Sequence, residues 1–351
     1  MRNNASSMYY GSAAKSLAAS VLSPVFPLVM KAAVLYSPGS AEQFRLEERP
    51  VPVPAAGQVL LRVRAFGLNR SELMTRKGLS PGVQFPRVLG IECVGEVVQD
   101  PSGTYQPGQQ VAALMGGLGR DFDGSYAEYT VVPKTILYPF RSRLPWAQLG
   151  AIPEMFQTAY GSLHLALQIQ PGQTLLIRGG TSSVGLLATQ LANLDGLTVL
   201  ATTRRADRAA LLTANGAAHV LVDDGQLREQ VRALFPQGVD RALELVGATT
   251  LRDTLTSLKP GGVGCMTGML SESWTIPDFA PMEFIPATVG LTIYDSGQVT
   301  APAEALQAFI DSVEADRVQL GIGRTFSLDD LVAAHHLMDS NAAGGKLVVI
   351  P

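Results

Sequence analysis

The sequence predicts an α/β protein of two unlike parts, a β-rich part and a doubly wound parallel sheet. Three observations carry this. Residues 30 to about 150 hold short strand-like runs between Gly and Pro turns, with few helical patterns. From residue 153 the pattern changes to short apolar strands alternating with helical stretches, as parallel βαβ units require. The chain has 351 residues, of which 46% are hydrophobic, enough for two cores.

The elements follow in order. Lys31–Leu35 reads as a first strand, and Val59–Phe66 alternates as a half-buried strand does. Gly90–Val98, Gln110–Leu114 and Tyr126–Val132 read as further strands. Thr158–Ile169 opens the helical grammar. A strand at Thr174–Ile177, a Gly/Ser turn and a helix at Val184–Leu194 come next. Thr198–Thr202 is a second strand and Ala206–Ala214 a second helix. Val220–Val222, Arg228–Leu234, Arg241–Leu245, Thr250–Leu258 and Val263–Met266 continue the alternation, and Leu291–Tyr294 closes the sheet. Ala303–Glu314 and Leu328–Met338 read as helices and Lys346–Ile350 as a final strand.

The first 29 residues stand apart. They contain no acid, the first being Glu42, and Pro24 and Pro27 interrupt their apolar stretch. No small-residue cleavage site follows, so a secretory signal fits poorly, and we read residues 1–29 as an extension expected to be disordered ahead of Met30. A cytoplasmic protein is expected. A net charge of −3 argues against a nucleic-acid partner. Two cysteines, Cys93 and Cys265, exclude a disulfide framework and a four-cysteine zinc site. No apolar run reaches the roughly 18 residues of a membrane span.

The strongest local signal is Arg178-Gly-Gly-Thr-Ser-Ser-Val-Gly185, between a predicted strand and a predicted helix. The first βα turn of such a sheet aims backbone N–H groups and the helix dipole outward, where a pyrophosphate is stabilised. Gly179 and Gly180 allow the tight turn, and Gly185 lets the helix approach the strand. Ser183 stands where a strict GxGxxG has its middle glycine. The candidate cofactor contacts are Gly180, Thr181, Ser182, Ser183, Val184 and Gly185.

At the end of the next strand an NAD site places an acid for the ribose hydroxyls. This chain has Thr203, Arg204 and Arg205 there, with Arg208 one helical turn on. Asp195 precedes the strand, and Asp207 lies between arginines. Arginine suits a 2′-phosphate through planar, bidentate hydrogen bonds. The predicted cofactor is therefore NADPH, with Arg204 the first choice and Thr203, Arg205 and Arg208 beside it. The bland alternative is that the three arginines are solvated surface charges.

At this point the chain resembles the medium-chain dehydrogenase/reductase superfamily, and most of all its zinc-independent quinone oxidoreductase branch. The marks are Met30-Lys-Ala32, the run Gly67 to Gly78, Gly90-Ile-Glu-Cys-Val-Gly-Glu-Val97, Gly124-Ser-Tyr-Ala-Glu128, Gln157-Thr-Ala-Tyr160, the loop Gly179 to Gly185, Gly216-Ala217 and Gly345-Lys346-Leu-Val-Val349. The resemblance covers nearly everything from Met30 to Pro351. It implies a GroES-like catalytic domain over residues 30–152 and 298–351, a Rossmann-type cofactor domain over 153–297, and a homodimer. It further implies Asn69 at the nicotinamide end of the cleft, Thr158 at the nicotinamide ribose, and Lys346 near the cofactor. Turn residue, helix N-cap and surface charge are their respective bland alternatives. Val246 and Gly247 fall where the cofactor crosses the sheet, and Gly268 near the nicotinamide. Tyr126 and Tyr294 are the candidate substitute hydroxyl donors.

Zinc in the superfamily needs a Cys early in the chain and a His before the motif Glu. Here the His position is Ile91, and Gly67 to Ser71 has no Cys. No metal is expected, and His164, His219, His335 and His336 read as structural. Without zinc the acceptor must need little Lewis-acid help, as a quinone or α,β-unsaturated ketone does. Many quinone reductases carry a Tyr where this chain has Met74. Met115, Leu118 and Phe122 would suit a flat apolar acceptor, or are plain core. The expected function is NADPH-dependent reduction of a quinone or enone. An enoyl-thioester reductase and an NADPH-binding protein without turnover are the alternatives.

Overall fold

The computed structural model describes residues 28–351. The expected disorder of residues 1–29 falls almost wholly outside them. The β-rich part is built from β1 (Val29–Leu35), β2 (Phe44–Pro50), β3 (Gln58–Gly67), helix α1 (Arg70–Arg76), β4 (Arg87–Val88), β5 (Glu92–Gln99), β6 (Gln110–Leu114), β7 (Tyr129–Pro133) and β8 (Leu137–Pro139). Helices α2 (Trp146–Leu149) and α3 (Pro153–Tyr160) lead out of it, and α3 runs into a π-helical turn at Gly161–Ala166.

The parallel part then alternates as the periodicity requires. It comprises β9 (Thr174–Arg178), α4 (Ser183–Leu194), β10 (Thr198–Thr203), α5 (Ala209–Ala214), β11 (His219–Val222), α6 (Leu227–Leu234), β12 (Val239–Glu244), α7 (Leu251–Thr256), β13 (Leu258–Met266), α8 (Pro281–Phe284) and β14 (Gly290–Ile293). The chain ends with α9 (Ala303–Glu314), β15 (Ile322–Ser327), α10 (Leu331–Asp339) and β16 (Lys346–Ile350).

The parallel sheet has the order β11-β10-β9-β12-β13-β14, and its pairings are parallel throughout. The order reverses between β9 and β12, which makes the crevice at their carboxyl ends the topological switch point. The β-rich part has a three-stranded sheet, β2-β1-β4, and a larger one, β15-β16-β3-β5-β6-β8, with β7 also on β3. The last strand, β16, is thus threaded back beside β3, where Val348 faces Gly67.

The helix expected to begin at Thr158 begins at Pro153, with proline in its first turn and Ile152 at the N-cap. Thr158 is therefore an interior residue of α3, and its N-cap alternative is ruled out. Proline belongs at such a start, because it has no N–H to leave unpaired. One apolar core joins both parts: Ala65, Val94, Ala112 and Val348 pack with Leu149, Phe156, Leu175 and Ile177. Helix α3 lies in this junction, and its N-terminal turn is one wall of the site.

Candidate active site

The loop after β9 has the geometry its glycines suggest. Gly179 has φ +83°, in the left-handed region where a Cβ is strained. Its N–H donates to Thr202 Oγ1 at 3.1 Å, and Gly180 N–H donates to Thr202 O at 3.1 Å. A Cβ on Gly185 would meet Gly179 O at 2.6 Å and Gly180 Cα at 2.8 Å, so only glycine lets α4 sit this close to the loop. Ser182 is the N-cap of α4 and its Oγ accepts from Gly185 N–H at 3.1 Å. Ser183 and Val184 form the first turn of α4, where amides have no intrahelical carbonyl ahead of them. With Thr181 they are half-buried and open to a ligand. A dinucleotide pyrophosphate fits this cradle of amides, hydroxyls and helix dipole.

Arg178, beside the loop, does something else. It is buried, and its guanidinium binds Asp223 at 2.7 Å and Asp253 at 2.9 Å. It staples β9 to the end of β11 and to α7. At the end of β10, Thr203 is buried and its hydroxyl exchanges hydrogen bonds with Arg205 N and O. Arg205 is paired with Asp207 at 2.5 Å in a solvent-exposed contact. Arg204 is exposed, and Arg208 is half-buried near Gly344, two residues before Lys346.

Val246 and Gly247 follow β12, but their amides turn inward. Both donate to Glu244 Oε1, at 2.7 and 3.0 Å. Glu244 is buried, which raises its pKa, against the opposing hydrogen bonds of Thr254 and Gly247. Their carbonyls are engaged as well, Val246 O by Ser271 N–H at 2.9 Å and Gly247 O by Thr250 and Leu251 N–H at 3.1 Å, so the Val246 side chain is what this turn presents to a ligand. Gly268 is glycine for packing, since a Cβ there would meet Leu245 O at 2.3 Å.

The chemistry-bearing cluster lies between the two parts. Lys346 Nζ donates to Asn69 Oδ1 at 2.5 Å and to Glu92 Oε1 at 2.7 Å. Asn69 Nδ2 donates to the same Glu92 oxygen at 2.8 Å and to Glu72 Oε1 at 3.4 Å. Glu92 Oε2 accepts the Glu154 N–H at 2.7 Å. Thr158 Oγ1 donates to Glu154 Oε1 at 2.5 Å, one turn along α3. Lys346 is only 3% exposed, which excludes the surface-charge alternative. Burial works to lower its pKa, but Glu92, Glu154 and Glu72 outweigh that and raise it. Burial pushes Glu72 up to about 7, and its Oε2 has no partner.

The structure thus brings Asn69, Thr158 and Lys346 into one cluster, and the loop residues into another with Thr202 and Thr203. Tyr126 is buried in the β-rich core, its OH against His335 Nε2 at 3.2 Å. Tyr294 is tied to Val299 O at 2.7 Å. Leu118 is buried core, and so is Met74; the apolar mouth expected from Met115, Leu118 and Phe122 loses its centre. The four histidines have structural neighbours: Asp195 for His164, Glu42 for His336, Tyr126 for His335 and the Phe235 ring for His219.

Two family models match the chain. "Alcohol dehydrogenase GroES-like domain" covers residues 55–142 and "Zinc-binding dehydrogenase" covers 183–312. Human quinone oxidoreductase is 26% identical over 332 residues, covering 92% of this chain and 98% of that protein. A 2-haloacrylate reductase from a Burkholderia species is 25% identical over 336 residues, covering 92% and 99%. A mycobacterial protein solved in complex with NADPH superposes with a TM-score of 0.81 at 26% identity, covering 92% of this chain and all of that one. The chain belongs to the medium-chain dehydrogenase/reductase superfamily. It is a quinone-oxidoreductase-like, NAD(P)-dependent oxidoreductase of that superfamily, with a GroES-like domain and a Rossmann-type parallel sheet.

Zinc does not fit the residues this oxidoreductase presents. The motif carboxylate, Glu92, has both oxygens occupied, and its cation is the Lys346 ammonium. Ile91 is buried beside it and offers only a backbone N–H, which donates to Glu72 Oε1 at 3.2 Å. Cys93 is buried, which pushes its thiol up to about 12, away from metal-ligand chemistry. Among the described residues no three His, Cys, Asp or Glu side chains converge as a metal group.

Glu72, Glu154 and Glu244 were not singled out from sequence. Only Glu154 had a local signal: it follows Pro153 in a helix first turn, where acids complement the dipole. Among the described residues no helix is long and apolar enough to cross a membrane.

Proposed function

We propose that this chain is a zinc-independent reductase that uses NADPH to reduce a quinone or an α,β-unsaturated carbonyl compound. The observation that carries the reading is that Ile91 stands where zinc-bearing relatives of the superfamily need a histidine, and that the neighbouring Glu92 is paired with the Lys346 ammonium. The acceptor must then be activated by conjugation rather than by a Lewis acid. The 2-haloacrylate reductase among the relatives acts on a compound of that electronic type by its name, and the human relative is named for quinones.

Gly180 to Gly185 hold the pyrophosphate in this reading, and Arg204, with Arg205 and Arg208 beside it, takes the 2′-phosphate. When bound, the nicotinamide supplies a hydride. The chain supplies proximity, orientation and proton delivery. Asn69 acts as a positioning residue, because its amide is committed to the Lys346–Glu92 pair. Thr158 stands beside Glu154 at the carboxyl ends of the strands, through Ser162 and Thr267: Ser162 Oγ reaches Thr158 O at 2.6 Å and Thr267 Oγ1 at 2.8 Å.

We read the domains as 30–152 with 298–351, and 153–297; the pairing of β16 with β3 supports that division. Strand β14 is an edge of the parallel sheet, with Ile293 65% exposed and Trp274 and Met282 exposed nearby in sequence. An unpaired apolar edge supports a two-fold homodimer joined there. The test of function is cofactor oxidation by chelator-treated protein with an aromatic ortho-quinone and with a small enone, NADPH and NADH in parallel. Turnover with NADPH well above NADH is expected. A protein that binds NADPH yet reduces neither acceptor refutes the assignment.

A further inference from the structure

Three carboxylates, Glu72, Glu92 and Glu154, surround one ammonium, Lys346. Two of the three are accounted for. Glu92 is the ammonium's hydrogen-bonded partner, and Glu72 is sealed in the interior at 1% exposure. Glu154 differs in being half-buried, and so is Thr158, whose hydroxyl is held to it at 2.5 Å. Ser296, which follows β14, neighbours the Glu154 carboxyl and lowers its pKa. Thr158 in turn is linked through Ser162 to Thr267 at the end of β13. Glu154 therefore stands at the carboxyl ends of β13 and β14, on the side of the switch point where ligands bind in open α/β sheets. The position that many quinone reductases fill with tyrosine is Met74 here, and it is buried.

Resting on the reductase reading above, we propose that Glu154 is the proton donor of the reaction, its carboxyl oriented by Thr158. When hydride has added to the β-carbon of an enone, the C=C electron pair moves through the conjugated system onto the carbonyl oxygen. The Glu154 O–H bond then breaks, its electron pair stays on the carboxylate, and the proton goes to that oxygen. Water reprotonates the carboxylate before the next turnover. For a quinone the same proton reaches one of the two ring oxygens. The balance is acceptor plus hydride plus one proton.

The surroundings suit both halves of the cycle. Lys346, Glu92, Glu72 and Tyr294 are the titratable groups around Glu154. Burial, with Glu92 adding to it, holds the Glu154 pKa above the usual carboxylate range, against Lys346, Thr158 and Ser296. So the carboxyl holds its proton more tightly than a solvated glutamate does. After release, the N-terminal turn of α3 and the Lys346 ammonium stabilise the carboxylate left behind.

The test has two arms. In cofactor-free protein, the infrared difference between wild type and Glu154→Gln at neutral pH should show the C=O band of a protonated carboxylic acid. Thr158→Val should shift that band, because the carboxyl loses its hydrogen bond. Absence of the band, or a band that Thr158→Val leaves unmoved, overturns the proposal without reference to turnover. In the second arm, kcat of Glu154→Gln should fall about 10²–10⁴-fold with KM little changed, and the alkaline limb of the kcat/KM profile should vanish. Glu154→Asp should restore part of the rate. A variant with the wild-type limb and a rate within about threefold also overturns it. If wild type itself reduces neither acceptor, the reductase reading fails while the infrared result still decides whether Glu154 holds a proton.

Discussion

Replacing Glu72 by Gln should reshape the pH dependence of stability, by an amount that can be worked out. Glu72 is 1% exposed, and burial lifts its carboxyl from the ordinary 4.5 to about 7. A carboxyl raised in the fold binds its proton more tightly there than in the unfolded chain. It therefore costs stability as pH climbs from 4.5 through 7. Each pKa unit is worth about 1.4 kcal/mol, so the cost is about 3 kcal/mol at pH 8 and under about 1 kcal/mol at pH 5. Going from pH 5 to 8, Glu72→Gln should gain about 2.5 kcal/mol on wild type, or about 3–4 °C in Tm for a chain of 351 residues. His335 works the other way. Burial, with Arg76 and His336 adding to it, lowers its pKa from 6.5 to about 3. That contribution is full above pH 6.5 and is lost on acidification, by about 2 kcal/mol at pH 5. The Glu72 and His335 contributions nearly cancel each other between pH 5 and 8, while Glu154 and Glu244, also raised by burial, add to the Glu72 side. Relative to wild type, Glu72→Gln should tilt the profile toward the His335 slope, gaining Tm as pH rises. Differential scanning fluorimetry across that range decides it, and parallel curves for wild type and variant would refute the reasoning.

Three further outcomes are expected. Lys346→Met should cost about 3–5 kcal/mol by stranding Glu92 without its cation, and adding Glu92→Gln should recover part of that loss in a double-mutant cycle followed by denaturant unfolding. Arg204→Ala should raise KM for NADPH about 10–150-fold, the worth of one charge-assisted hydrogen bond, and leave KM for NADH unchanged in steady-state kinetics. Ile293→Lys should weaken self-association about 100-fold or more, because a two-fold interface meets the new charge twice, and sedimentation velocity at micromolar concentration should show a monomer.

The parallel sheet was readable because its strands are buried on both faces and so appear as short apolar runs between helices. Strand β2 was not: its residues Phe44-Arg-Leu-Glu-Glu-Arg-Pro50 are mostly exposed, and only pairing with β1 makes them a strand. Helix α1 was missed because seven residues show barely two turns of periodicity. The turn after β9 was legible because its geometry is local: glycines, a capping serine and a helix start, contiguous in the chain. The acidic cluster was not, because residues 72, 92, 154 and 346 are contributed by α1, β5, α3 and β16. Arg178 shows the converse error of adjacency. Next to the loop in sequence, it points away to Asp223 and Asp253.

That scatter gives Lys346 a second consequence. Its ammonium is held by a side chain from the start of α1 and one from β5, and Glu92 passes the connection to the first turn of α3. A single buried charge thus joins the last strand of the chain to three elements that wall the site. Zinc could bind two of the same walls only with a nitrogen or sulfur ligand where Ile91 stands. With a lysine instead, the site keeps a fixed positive charge that needs no metal supply. It also keeps more carboxylates than cations around it, and their repulsion adds to the burial that lifts Glu154 and Glu72 above the usual carboxylate range. The absence of metal ligands and the presence of a protonatable glutamate are then two sides of one arrangement. Lys346→Met should raise the Glu154 pKa further, because the ammonium opposes the burial that lifts it, and so move the alkaline limb upward. A Lys346→Met protein that stays folded and keeps the wild-type alkaline limb would break that link.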